Sequence, residues 1–368
     1  MAIISAWVCT IPVNMMRDWL QRQLVGSIVR PLSGLGYVFV ALLVSSCSEV
    51  PTALTALDDY QRRVANTLQL EPIAYQPVSF PQLPNSRDLR VQVPRISVSL
   101  LDSWRLDQCA AGQLIAQRNS ALGKLEEGIS RYFTDLQLTQ AMKTCVTELE
   151  QAGEAQLAKR LASALQEKRQ TLAASKQLAI ATDDALRHSL RFAPSTLAAP
   201  DDAAFANALA SLDHVLAVLQ EPSQQPPQVS REQLESALEQ LHQSDYLPRL
   251  WRSLHTLEAY LQQLAPLTED LVGLAGCSSK GRPQRPEVLH TVFLKFFIAK
   301  VQPELAGYTR QGYLVNERLA QLAVISEQAA LKDYIQRLMQ LTDKLNERSK
   351  GHVKPWQRFF AACDFTPG

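Results

Sequence analysis

The sequence predicts an all-α protein, and three observations carry that prediction. Aromatic residues make up only 7% of the chain and β-branched residues are sparse, whereas Leu, Ala, Gln and Glu abound, a balance that favours helix over strand. Leu247, Leu250, Leu254, Leu257, Leu261 and Leu264 alternate spacings of three and four, the mark of one apolar helix face. Helix-start signals follow breakers: Ser230 and Gln233 can form a capping box just after Pro222, Pro226 and Pro227, and Asp201-Asp202 follow Pro200. A hydrophobic share of 46% excludes a disordered or collagen-like chain, and a formal charge of +1 excludes a basic nucleic-acid binder.

In chain order, Leu32 to Val44 is an uncharged apolar run preceded by Arg17, Arg22 and Arg30 against Asp18. It is too short for a bilayer span, which needs about 20 residues, but suits the apolar centre of an export signal. Val44-Ser45-Ser46-Cys47 closes the run and resembles the lipobox of bacterial lipoproteins, whose cysteine thiol takes a diacylglyceryl group. Cys47 is therefore the expected lipidation site; the alternative is a signal anchor with a chance cysteine. Ser48 stands where lipoproteins kept in the inner membrane carry Asp, so the expected address is the periplasmic face of the outer membrane. A start at Met15 or Met16 would give the signal an ordinary length.

Three regions follow: a signal peptide over 1–46, a lipid-anchored helix and Pro-rich arm over 47–99, and a helical domain over 100–368. The first helix is expected over 53–70 with Thr52 as its cap. Pro72, Pro77, Pro81, Pro84 and Pro94 then read as an arm or tether. Leu209, Leu212, Leu216 and Leu219, and later Leu331, Ile335, Leu338, Leu341 and Leu345, repeat the helical stripe. A second break, Gly276 to Pro286, carries Lys280, Arg282 and Arg285. No repeat period emerges. The expectation is one elongated bundle of eight to ten helices, articulated near Pro226.

Past the lipidated cysteine, Cys109, Cys145, Cys277 and Cys363 remain, and in an oxidising compartment they allow three connectivities. None has zinc-ligand spacing. If Gly123 to Ser130 turns an antiparallel helical hairpin, Cys109 and Cys145 come level, which leaves Cys277 for Cys363. Four buried free thiols are the alternative.

Chemistry is otherwise scarce. No hydrolase elbow, metalloprotease, phosphate-loop or dinucleotide motif is present, and no two histidines have helical ligand spacing, so neither a cofactor nor a metal is expected. Glu235-Ser236 is similar to the glutamate-serine pair of lytic transglycosylases but lies in an amphipathic helix, where a solvated face is the simpler reading. Asp183-Asp184 and Asp201-Asp202 sit where caps are expected. Phe293, Phe296 and Phe297, with Val292 and Ile298, form either a core helix or the lining of an acyl-chain groove.

The segment Arg118-Asn119-Ser120-Ala121-Leu122-Gly123, set between Cys109 and Cys145, resembles a domain-of-unknown-function family, number 3080, of bacterial lipoproteins. Val292-Phe293, Gln302-Pro303 and Leu305-Ala306 extend the resemblance, with Thr291 and Glu304 departing from a pattern that prefers Asn and Tyr. It spans roughly Thr52 to Cys363 and implies an exported, lipid-anchored helical protein with no activity attached. Arg118, Asn119 and Ser120 are the candidate polar contact site, with Arg118 grasping a carboxylate or phosphate. The structural alternative has Asn119 and Ser120 closing the helix, Gly123 left-handed, and Arg118 paired with Glu126 or Glu127. The expected function is a non-catalytic binding or scaffold module of the envelope, partnered by the membrane through its anchor and by an envelope protein. Nucleic acid is not expected as a partner. The alternatives are an enzyme acting on cell-wall glycan or peptide, and an acyl-chain carrier.

Overall fold

The computed structural model describes residues 51–94, 106, 109–220, 228–277 and 284–365. Cys47 with its signal, Ser48, the breakers Pro222, Pro226 and Pro227, and Lys280 and Arg282 lie outside the described residues. Among the described residues the secondary structure is helical throughout, without strands. The helices are α1 (Thr52–Leu68), α2 (Ala110–Asn119), α3 (Gly128–Gln151), α4 (Ala155–Thr182), α5 (Asp184–Leu190) and α6 (Asp202–Gln220). Then come α7 (Arg231–Gln243), α8 (Tyr246–Thr268), α9 (Leu271–Ala275) and α10 (Gln284–Val292). A π-helical segment, Phe293–Val301, joins α10 to α11 (Gln302–Ile325), and α12 (Ala329–Ala362) ends the fold. The segments outnumber the eight to ten expected for two reasons. Helices as short as α5 and α9 are too brief to show a period, and the rod from α10 to α11 is divided by its π-helical stretch.

The leucine stripes face the main core. Leu247, Leu250, Leu254, Leu257, Leu261 and Leu264 are all buried along α8, as are Leu331, Ile335, Leu338, Leu341 and Leu345 along α12. The capping box of Ser230 and Gln233 opens α7 with both reciprocal bonds made. Asp201 caps α6 by accepting from the amides of Ala203 and Ala204 at 2.9 and 3.0 Å. Thr52 does not cap α1: it lies inside the helix, and its hydroxyl donates to the Ala198 carbonyl at 2.9 Å. One helix among the described residues, α6, is long and apolar enough to cross a membrane. Its Phe205, Leu212, Val215, Leu216 and Leu219 belong to the main core.

The Pro-rich stretch after α1 is fastened to the helices. Lacking enough amides to join a sheet, it borrows side-chain amides that copy strand pairing. Gln61 both accepts from the Ile73 amide at 3.0 Å and donates to its carbonyl at 3.2 Å. Gln263 does the same for Gln76, at 2.8 Å each way. Phe80 then stacks on Phe192 with ring centroids 4.7 Å apart, and Arg187 donates to the Pro84 carbonyl at 2.7 Å.

The phenylalanines of the π-helical segment are core. Phe293 and Phe297 are buried and stack on each other at 5.4 Å, with Trp356 4.6 Å from Phe293 and Tyr60 5.2 Å from Phe297. Phe296 is half-buried at the edge of the core, beneath the Arg63 guanidinium 4.0 Å from its ring centroid. Of the two readings of this segment, the burial and stacking of Phe293 and Phe297 match the core helix.

Against this aromatic cluster lies His352, joined to the Tyr60 hydroxyl by a 2.8 Å hydrogen bond and without a partner for Nδ1. Burial pushes its pKa down from 6.5 to about 4. Between those values the unfolded chain takes up a proton that the folded chain refuses, so stability contributed above pH 6.5 is lost as pH falls through about 4. The loss should reach about 3 kcal/mol. Urea midpoints at neutral and mildly acid pH should show this slope in the native protein and its reduction in His352→Gln; an unchanged slope would remove His352 from the account.

Candidate ligand site at the polar layer between two cores

The helices α3 and α4 pack side by side and serve two cores. Ile129, Tyr132, Phe133 and Leu136 of α3, with Leu172 and Ile180 of α4, enter the main core. Leu138, Met142, Cys145 and Leu149, with Leu157, Leu161 and Leu165, build a smaller core with α2. Between the two lies a buried polar layer of Asp135, Thr139, Lys168, Thr171 and Ser175.

Two members of that layer are charged. Lys168 Nζ lies 2.6 Å from Asp135 Oδ2, and Arg118 Nη1 lies 3.0 Å from Oδ1. The side chains of Asp135 and Lys168 are 4% and 6% exposed, so the pair is withdrawn from water, while Arg118 at 26% reaches solvent. Burial pushes the Lys168 ammonium below its ordinary value; Asp135 opposes that shift, while Arg118 and Arg131 add to it. Arg118 is lowered in the same way, first by burial and then, against Asp135, by Arg131. Two cations thus share one buried carboxylate, and the charge of Arg131 acts on both of them. Nearby Glu126 is engaged elsewhere, accepting from Thr134 at 2.8 Å and Arg231 at 3.2 Å.

The layer opens into a cavity of about 870 Å³, whose lining includes the bases Arg90, Arg118, Lys124, Arg131 and Lys168 and the acids Glu126, Glu127 and Asp135. A volume in this range suits a small-molecule ligand. A second cavity, about 890 Å³ between α8 and α12, carries balanced charge: Glu258, Glu269 and Glu347 face Lys344, Arg348 and Arg358. There Arg348 is already paired with Glu258 at 3.0 Å.

The α2–α3 turn that roofs the first cavity differs from expectation in two respects. Arg118 pairs with Asp135, two turns into α3 and eight or nine residues beyond the anticipated Glu127 or Glu126. Gly123 is not left-handed; that conformation falls at Gly128, with φ of +60°. Gly123 is needed for close approach instead, because a Cβ there would collide with the Gln117 carbonyl and the Arg118 backbone. Ser120 closes α2, donating to the Gln117 carbonyl at 2.6 Å and accepting from the Gly123 amide at 3.0 Å. Asn119 is exposed at the cavity rim.

At Gly128 the chain enters α3 against Asp183, whose carboxylate accepts from the amides of Ile129 and Leu186, each at 2.9 Å. It therefore caps α5 and the start of α3 together. Burial raises its pKa, and the two amides oppose that shift. Asp183 is the more buried member of its pair, and Asp184 opens α5.

The four cysteines form two disulfides, Cys109–Cys145 and Cys277–Cys363, with Cα separations of 5.7 and 5.2 Å. The first closes the hairpin of α2 and α3 within the smaller core; the second ties the end of α9 to the end of α12. The group of potential metal ligands close enough to share an ion among the described residues is Cys109, Cys145 and Glu148, and its sulfurs are spent in the disulfide. Glu235 has a side chain 57% exposed and lies 3.4 Å from Arg231 on α7, a surface ion pair rather than a desolvated acid. Asp135 and Lys168 escaped sequence reasoning, although a signal existed. Asp135 continues the stripe of Leu138, Met142, Cys145 and Leu149, and Lys168 lies between Leu165 and Leu172. Charges of opposite sign on two apolar stripes are best explained by a buried pair.

These features define an all-α, disulfide-bonded bundle with a cationic cavity between a larger and a smaller core. The chain belongs to the family described as Protein of unknown function (DUF3080), which matches residues 57–367. Neither the curated proteins nor the solved structures provide a match.

Proposed function

We propose that this protein is a non-catalytic binding module of the bacterial envelope, acylated at Cys47, held at the periplasmic face of the outer membrane, and specific for an anionic ligand. The pairing of Arg118 and Lys168 with the one carboxylate of Asp135, with Arg131 adding positive charge beside them, carries this reading. Such an excess of positive charge along a cavity wall is relieved by an anion, and guanidinium groups suit phosphate or carboxylate oxygens. The titratable groups deepest in the site pair with one another, an arrangement suited to holding charge rather than moving protons. The Val44-Ser45-Ser46-Cys47 segment and Ser48 support the anchor and its address, and two disulfides suit an oxidising compartment.

Calorimetric titration of the detergent-solubilised, acylated protein with inorganic phosphate and glycerol 3-phosphate tests the site. Binding should weaken about tenfold or more when Lys124→Gln and Arg131→Gln remove two charged donors. Absence of binding, or binding indifferent to both substitutions, would overturn the assignment. For the anchor, radiolabelled palmitate should enter the wild-type protein, and Cys47→Ser should remain unprocessed in the inner membrane. A wild-type protein that takes no label would remove the anchor from the proposal.

A further inference from the structure

We infer that the α2–α3 turn is a membrane-docking device whose anionic ligand is the headgroup of an anionic phospholipid; this rests on the anion-binding reading above and narrows it. Leu122 and Leu125 are 81% and 76% exposed at the tip of the turn. The turn itself is well braced. Lys124 N donates to the Ser120 carbonyl at 3.1 Å, Leu125 N to the Leu122 carbonyl at 2.9 Å, and Arg131 Nη1 to the Gly123 carbonyl at 2.8 Å. The two leucines are therefore held outward by a hydrogen-bonded scaffold.

Lys124 stands between them, with no ion pair among the described residues, and the cavity carrying Arg118 and Arg131 opens directly behind. Of the nearby acids, Glu126 is occupied by Thr134 and Arg231, while exposed Glu127 opposes an anionic surface. Apolar tips flanking a cation, backed by more cations, match the layering of a leaflet, where acyl chains lie beneath a plane of phosphates. A soluble anion would use the cavity and leave both leucines in water. Each basic group near an anionic leaflet strengthens contact by about fivefold.

The test uses the acylated protein reconstituted into vesicles of phosphatidylcholine alone or mixed with phosphatidylglycerol, with brominated acyl chains as quenchers. Leu122→Trp should be quenched beyond the parent protein in the mixed vesicles. That quenching should fall at least about fivefold in neutral vesicles or on adding Lys124→Glu. Val272→Trp, on α9, should remain unquenched, and melting temperatures should show that the variants stay folded. Equal quenching in neutral and mixed vesicles, or equal quenching of Val272→Trp, would overturn headgroup recognition by this turn. No quenching, with glycerol 3-phosphate still bound in the titration, would overturn the docking inference while leaving the anion site intact.

Discussion

Replacing Asp135 with alanine is expected to destabilise the protein by about 3–5 kcal/mol, the cost of leaving a buried charge without its partner. The substitution strands the Lys168 ammonium, 2.6 Å from the lost oxygen, beside Arg118 and Arg131. Lys168→Met should cost less, because Arg118 still faces Asp135 at 3.0 Å. Asp135→Leu together with Lys168→Met removes both charges and should recover most of the loss, since a buried pair often exchanges for apolar residues at little cost. Urea denaturation of the single and double variants measures all three. Equal, small effects from the two single variants would mean that the pair is hydrated in solution.

Removing the Cys277–Cys363 disulfide should cost about 4.6 kcal/mol, and removing Cys109–Cys145 about 3.8 kcal/mol, in the chain-entropy estimate for loops of 86 and 36 residues. The two losses should differ in form as well as size. Cys363 follows Trp356 and Phe359 in the main core, so its release should lower the principal thermal transition. Cys109 and Cys145 belong to the smaller core, which should then melt earlier as a separate unit. Calorimetry of Cys277→Ser with Cys363→Ser, and of Cys109→Ala with Cys145→Ala, distinguishes the two patterns. A split transition from the first pair and a uniform shift from the second would reverse the assignment of bonds to cores.

What the sequence makes legible here is periodic or local. The leucines of α8 and α12 announce their faces because the spacing is read directly, and the Ser230–Gln233 box is complete within four residues. The pairing of Cys109 with Cys145 follows from level positions on a hairpin. What stays hidden depends on distant partners. The fastening of the Pro-rich stretch needs Gln263, far along the chain from Gln76. Arg118 could be placed in a polar turn, but its partner Asp135 was masked by the assumption that charges on a helix face water. Gly123 and Gly128 look alike in sequence; only tertiary contact separates a glycine needed for close approach from one needed for its positive φ.

The shared carboxylate of Asp183 has a mechanical consequence. It clamps the start of α3 where α4 ends and α5 begins. From that clamp the 24 residues of α3 and 28 of α4 reach about 36 and 42 Å, at about 1.5 Å per residue. The pair is a double beam fixed at one end, with the smaller core as its load. Because the fixed end cannot swivel, that core can swing against the main one only if the beams flex along their length. The softest place to flex is the layer where apolar interlocking gives way to Asp135, Lys168 and Ser175. An anion seated among those cations would bridge the beams at that point and stiffen them, so occupancy of the cavity and the compliance of the hairpin would vary together.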